Sequence, residues 1–194
     1  LIHGNLGHAL LQQEKLDEAI ACFQKAIELQ PTFAVQHFNL AAALAKQQKL
    51  DEAIASYRKA VEINPKFILA YQRLGAILLV QKRDYDGAAE VIQKVISLQP
   101  ELPGPHLNLG VALKYVGKER EAIASHRDAL QLQPNFVEAC TSLARLLTTC
   151  TDLQLRNSEE ALQLAHQAVE LAPQSAEAWA TLGLAQHSGI GRDD

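Results

Sequence analysis

The sequence predicts an all-α fold, a right-handed α-solenoid of tandem helix-turn-helix units. Three observations carry that prediction. The segment Lys15-Leu16-Asp17-Glu18-Ala19-Ile20-Ala21 returns 34 residues later as Lys49-Leu50-Asp51-Glu52-Ala53-Ile54-Ala55, and Glu119-Arg120-Glu121-Ala122-Ile123-Ala124 is a third version. Proline keeps the same beat at Pro31, Pro65, Pro100, Pro134 and Pro173, in steps of 34, 35, 34 and 39 residues. Within each interval, apolar or small residues recur at i, i+3, i+4 and i+7, as at His37, Leu40, Ala41 and Leu44, which marks one face of a helix. No alternating β-branched run competes with it. A period of this length means a unit that cannot bury its own apolar face and must stack on its neighbours.

Each unit reads as two helices. The first carries the stripe just described. A polar turn follows, as at Lys46-Gln47-Gln48-Lys49. The second helix has its own stripe, Ala53, Tyr57 and Ala60, and ends before Pro65, because proline cannot continue a helix and turns the preceding residue out of helical geometry. Paired acids such as Asp51-Glu52 and Glu159-Glu160 open second helices, where they complement the positive helix end. The units are placed at 1–33, 34–67, 68–102, 103–136 and 137–175, with a partial sixth helix at 176–188. The third unit has one extra residue, assigned to its turn. The fifth has five, around Thr151–Asn157, so the longest irregular loop is expected at 149–157. About eleven helices and no strands are expected. Trp179 is expected to cover the helix before it.

Eight positions recur in register. They are His3, Leu6, Gly7, Leu10, Ala19, Phe23, Ala26 and Pro31 in the first unit, and His37, Leu40, Ala41, Leu44, Ala53, Tyr57, Ala60 and Pro65 in the second. The third has Tyr71, Leu74, Gly75, Leu78, Ala88, Ile92, Val95 and Pro100; the fourth has His106, Leu109, Gly110, Leu113, Ala122, His126, Ala129 and Pro134. The fifth has Cys140, Leu143, Ala144, Leu147, Ala161, Ala165, Ala168 and Pro173, and Trp179, Leu182 and Gly183 open a sixth. This pattern resembles the tetratricopeptide repeat over nearly the whole chain. The stretches Leu146–Asp152, Ala168–Pro173 and Trp179–Gly183 resemble repeats of large bacterial multidomain proteins. The family resemblance implies a protein–protein interaction module whose first helices line a concave peptide groove.

Composition narrows the function further. The chain has 194 residues, 48% hydrophobic and 21% charged, with a formal net charge of −4. It carries no basic footprint for nucleic acid or an anionic membrane, and no apolar run long enough to span a bilayer. Three isolated cysteines, Cys22, Cys140 and Cys150, form no CxxC pair and predict a reducing compartment, the cytoplasm. The lack of any Met and the helix-like first residues give the expectation of a piece of a longer protein. His3, His37 and His106 share a slot with Tyr71 and Trp179, and His126 shares one with Phe23 and Tyr57, so they are expected to pack rather than bind metal. Gly189-Ile190-Gly191 lacks the strand and third glycine of a dinucleotide fingerprint. No nucleophile elbow, phosphate loop or kinase signature occurs. Neither an enzyme nor a cofactor is expected.

The functional signal lies on the face of the first helices that packing leaves free. At about 100° per residue, that face carries Leu1, Asn5, His8 and Gln12, then Val35, Asn39, Ala42 and Lys46. It continues with Leu69, Arg73, Ala76 and Val80, then Gly104, Asn108, Val111 and Tyr115. It then turns more polar: Glu138, Ser142, Arg145 and Thr149, followed by Glu177, Thr181, Leu184 and Ser188. The expected peptide-binding residues are Asn5, His8, Val35, Asn39, Lys46, Leu69, Arg73, Asn108, Val111 and Tyr115. Leu1, Val35 and Leu69 would form an apolar strip. Asn5, Asn39 and Asn108 would form a ladder of amides able to donate to and accept from an extended backbone. That ladder resembles the one in the tetratricopeptide arm of O-GlcNAc transferases, from which Ser142 and Thr181 depart. Asn39 and Arg73 also match two positions of the family's carboxylate clamp, where Gly4, His8 and Leu69 replace the others. The alternative is a docking arm of a larger kinase-like or glycosyltransferase-like enzyme. Self-association through exposed repeat ends is a third reading.

Overall fold

The computed structural model describes residues 2–190, and among them are eleven α-helices and no strand. Leu1 and the side chain of Ser188, both named above on the outward face, lie outside the described residues. The chain divides into two compact units, residues 1–83 and 84–194.

The first unit holds α1 (Ile2–Gln12), α2 (Leu16–Leu29), α3 (Ala34–Lys46), α4 (Leu50–Ile63) and α5 (Ile68–Ala76), which runs on as a π-helical segment, Ile77–Lys82. Each helix packs on the next, and α1 also touches α3. Small residues set these approaches. A Cβ placed on Gly7 would sit 2.7 Å from the Phe23 ring, so the glycine lets that ring lie flat against α1. The second repeat solves the same problem with Ala41 and Tyr57, both buried.

Three second helices start without a side-chain cap, at Lys15, Lys49 and Lys118, and rely on acids in the first turn. The turn before these three helices, and before the second helix of the third repeat, is closed by one left-handed residue: Glu14 (φ 60°), Gln48 (φ 62°), Gly117 (φ 79°) and Arg83 (φ 54°) respectively. Glu14, Gln48 and Gly117 stand eleven positions after the aromatic-slot residues His3, His37 and His106, whereas Arg83 stands twelve after Tyr71. From each left-handed residue to the next repeat-slot alanine the distance is the same. The extra residue of the third repeat is therefore not in the turn, as the sequence suggests, but inside the first helix. A single inserted residue is absorbed there by widening one turn from i→i+4 to i→i+5 hydrogen bonding.

The second unit holds α6 (Tyr85–Leu98), α7 (Pro103–Tyr115), α8 (Glu119–Leu132), α9 (Val137–Thr149), α10 (Ser158–Leu171) and α11 (Ala176–Ile190). Asp84 caps α6 by accepting from Gly87 N at 3.0 Å, and Asn157 caps α10 by accepting from Glu160 N at 3.1 Å. Leu143, Leu146, Leu147 and Cys150 of α9 and its exit pack with Ala161, Ala165, Leu182 and Ala185. Trp179, expected to cover the preceding helix, is 54% exposed, while Ala178, Leu182 and Ala185 of its helix are buried. The five-residue insertion forms the expected loop between α9 and α10, with a short 3-10 turn at Leu153–Leu155. Glu119 anchors it. Its carboxylate accepts from Thr151 N (2.9 Å), Thr151 Oγ1 (2.9 Å) and Asp152 N (3.2 Å). The Thr151 amide above all holds the Glu119 carboxyl below its ordinary range.

Candidate functional site

The outward face of the first helices makes a groove in the first unit, with a volume of about 670 Å³. Its sides come from α1, α3 and the α5–π element, whose spacing presents every third or fourth residue. His8, Asn39, Lys46, Leu69 and Arg73 line it, all named from the sequence. Asn5 and Val35 are exposed on α1 and α3 but lie outside the lining. The floor is aromatic: Phe38 meets Tyr57 edge-on, with ring centroids 5.6 Å apart, and leans on Phe67 at 5.0 Å. Burial raises the Tyr57 phenol above its ordinary value, partly offset by the Arg73 charge. Neither the Asn39 amide nor the Arg73 guanidinium has a hydrogen-bond or ion-pair partner among the described residues, so both keep their bonding capacity for a ligand.

Val80 and Gln81 complete the groove. Val80 is 70% exposed and is its most open apolar side chain. Both belong to the π-helical segment, and a π turn advances the following side chains around the axis. Val80 is on the outward face by spacing; Gln81 is not. The signal that could have found Gln81 is the extra residue between Leu78 and Ala88.

In the second unit the outward face is divided. A pocket of about 160 Å³ is lined by Val111, Lys114, Tyr115, His126, Ser142 and Arg145. Asn108 is exposed on α7 and does not line it, whereas Asn39 lines the groove of the first unit. Tyr115 stacks on Tyr85 with centroids 4.4 Å apart and planes 11° from parallel. A shallower hollow of about 270 Å³ involves Arg145, Glu177 and Leu184. Thr181 also lines this hollow, but as a buried wall. It is 2% exposed, and its hydroxyl donates back to Glu177 O at 2.8 Å.

The aromatic slot has a second job that its packing role conceals. His37 Nε2 donates to Pro31 O at 2.9 Å, His106 Nε2 to Pro100 O at 2.9 Å, and Trp179 Nε1 to Pro173 O at 2.9 Å. Histidine replaces tryptophan here because both present a ring edge with an N–H, and the acceptor is the carbonyl of the preceding repeat's proline. This bond fixes the Nε2–H tautomer of both histidines. Among the described residues no cluster of His, Cys, Asp or Glu could hold a metal ion.

Family matches fall along this chain of paired helices. The sequence pattern of the tetratricopeptide repeat matches residues 1–33, 34–67, 68–102 and 150–192. The chain belongs to the tetratricopeptide repeat family. No curated protein sequence matches it. Solved tetratricopeptide structures share its fold. YrrB, described as a TPR protein with an unusual peptide-binding site, is 20% identical, with a TM-score of 0.77 over 97% of this chain and 90% of its own. MamA is 21% identical, with a TM-score of 0.76 over 91% and 93%. A MamA fragment from Desulfovibrio magneticus RS-1 is 18% identical, with a TM-score of 0.75 over 90% and 96%. Within each compact unit of this tetratricopeptide array the helices pair with their sequence neighbours. No helix among the described residues is long and apolar enough to cross a membrane.

Proposed function

We propose that this tetratricopeptide array is a non-enzymatic scaffold that holds an extended partner peptide in the groove of its first unit. The observation that carries the reading is the composition of that groove. Apolar Leu69 and Val80 stand beside an unpartnered amide, Asn39, and an unpartnered cation, Arg73. Apolar anchors supply affinity, the amide pairs with peptide backbone, and the cation selects an acidic neighbour. YrrB, described as having a peptide-binding site on the same fold, supports the reading by analogy. The free cysteines Cys22, Cys140 and Cys150 support a cytoplasmic setting.

The test begins with seven-residue peptides selected from a random display library against the intact protein. The Asn39→Ala and Leu69→Ser changes together should weaken the selected peptides about tenfold or more, since a hydrogen bond is worth about 0.5–1.5 kcal/mol and each buried methylene about 0.8. Lys59→Ala, on a second helix and paired with Glu62 at 2.9 Å, should leave affinity alone. Peptides that bind the double variant as well as the parent, or the recovery of no binding peptide, would overturn the proposal.

A further inference from the structure

The pocket of the second unit has a different chemistry from the groove of the first. Two cations, Lys114 of α7 and Arg145 of α9, line a space of about 160 Å³, with the Ser142 hydroxyl beside them. Like charges brought into one cleft repel and lose solvent, an arrangement that persists where an anion can relieve it. The Lys114 ammonium has no carboxylate partner among the described residues and lies 5.9 Å from the centre of the Tyr115 ring. Burial, with the neighbouring Arg145 charge, lowers its pKa; Glu119 opposes this. Arg145 has one protein anion, Glu177, through a single 3.3 Å contact at the exposed rim. The third wall is His126. It is 1% exposed, and its buried Nδ1 has no hydrogen-bond partner. Its ring packs against Gly110, so it closes the pocket as a wall.

From the two cations and the hydroxyl brought into one cleft, we propose that this pocket is a carboxylate-binding site for an aspartate or glutamate side chain of a partner peptide. The volume admits a carboxylate and its first carbons. The proposal rests on the peptide-scaffold reading for the source of the carboxylate. It shares no residue with the first unit's groove, so each can fail alone.

Acetylated, amidated tetraglutamate is titrated into the intact protein by calorimetry, with the tetraglutamine peptide and inorganic phosphate as parallel arms. Tetraglutamate should bind, more weakly as salt rises, and tetraglutamine should not. Lys114→Gln and Arg145→Gln should each weaken tetraglutamate at least tenfold. Glu177→Gln, which frees Arg145, should tighten it severalfold. Arg58→Gln removes the same charge from an exposed second helix and should change nothing. Unchanged melting temperatures in the variants tie the losses to the site. Equal affinity in Lys114→Gln, Arg145→Gln and the parent would overturn the site. Phosphate binding as tight as tetraglutamate at the same residues would overturn its assignment to a carboxylate.

Discussion

His126 shows how one slot can be filled at a cost. The first and second repeats place Phe23 and Tyr57 there, and the fourth places an imidazole directly against Gly110, where an added Cβ would lie 2.6 Å from the ring. Burial first, and the Lys114 charge second, push its pKa from 6.5 down to about 4. A depressed histidine pKa favours the neutral form in the folded state. Its contribution to stability is therefore fully present above the unfolded pKa and is lost as pH falls from 6.5 through about 4. A tenfold change in proton affinity corresponds to about 1.4 kcal/mol, so the loss over that window reaches about 3 kcal/mol. His126→Phe should abolish this part of the acid slope while leaving the melting temperature at neutral pH equal or higher. Urea titrations at pH 7 and pH 4.5 measure it; an unchanged slope in His126→Phe would mean that the ring takes up its proton without leaving the core. The packing role of this histidine was legible from its register with Phe23 and Tyr57. Its orphaned Nδ1 was not, because that depends on which neighbours surround the ring. The bonds from His37 and His106 to proline carbonyls were hidden for the same reason: periodicity reports which face is buried, not where an N–H points.

At the scale of the element, the stripes on α1 to α11 and the proline stops were readable because they follow from helical periodicity alone. The loop after α9 was readable as a length excess. The position of the third repeat's extra residue was not, since counting between Leu78 and Ala88 cannot separate a longer turn from a wider helical one. The left-handed residue settles it, because Arg83 keeps the same distance to Ala88 as Gln48 does to Ala53. The insertion is thus confined to Ile77–Lys82, bounded by buried Leu74 before it and the unchanged turn after it. Deleting Val80 should let this segment close into ordinary α-helix with no change of register beyond it. The deletion variant should fold with a melting temperature within a few degrees of the parent but lose peptide affinity, having lost a groove wall. A deletion of Ala42 from α3 has no spare residue to absorb it. It rotates the rest of the helix by about 100° and should unfold the first unit. Circular dichroism melts of both variants decide between them; equal damage would show that the π segment is not the site of the insertion.

The repeat is the unit of the sequence, but the structure's compact units do not respect it. The boundary at Arg83 and Asp84 falls between the two helices of the third repeat. Helix α5 and its π extension give Ala70, Leu74, Ile77 and Leu78 to the core of the first unit. The second helix of that repeat, α6, packs on α7. Anyone shortening this protein by whole repeats would cut at Pro65 or Pro100. A fragment ending at 67 discards the helix that completes the first core, along with Leu69, Arg73 and Val80. A fragment ending at 102 keeps α6 but removes α7, against which it packs. The workable cut is after Arg83, in the middle of a repeat. The fragment 1–83 should melt cooperatively and keep its selected peptides, whereas 1–67 should be soluble only as a loosely ordered chain. Proteins of this kind are often trimmed by their sequence period, and here the place to put the scissors is a dipeptide the period passes over.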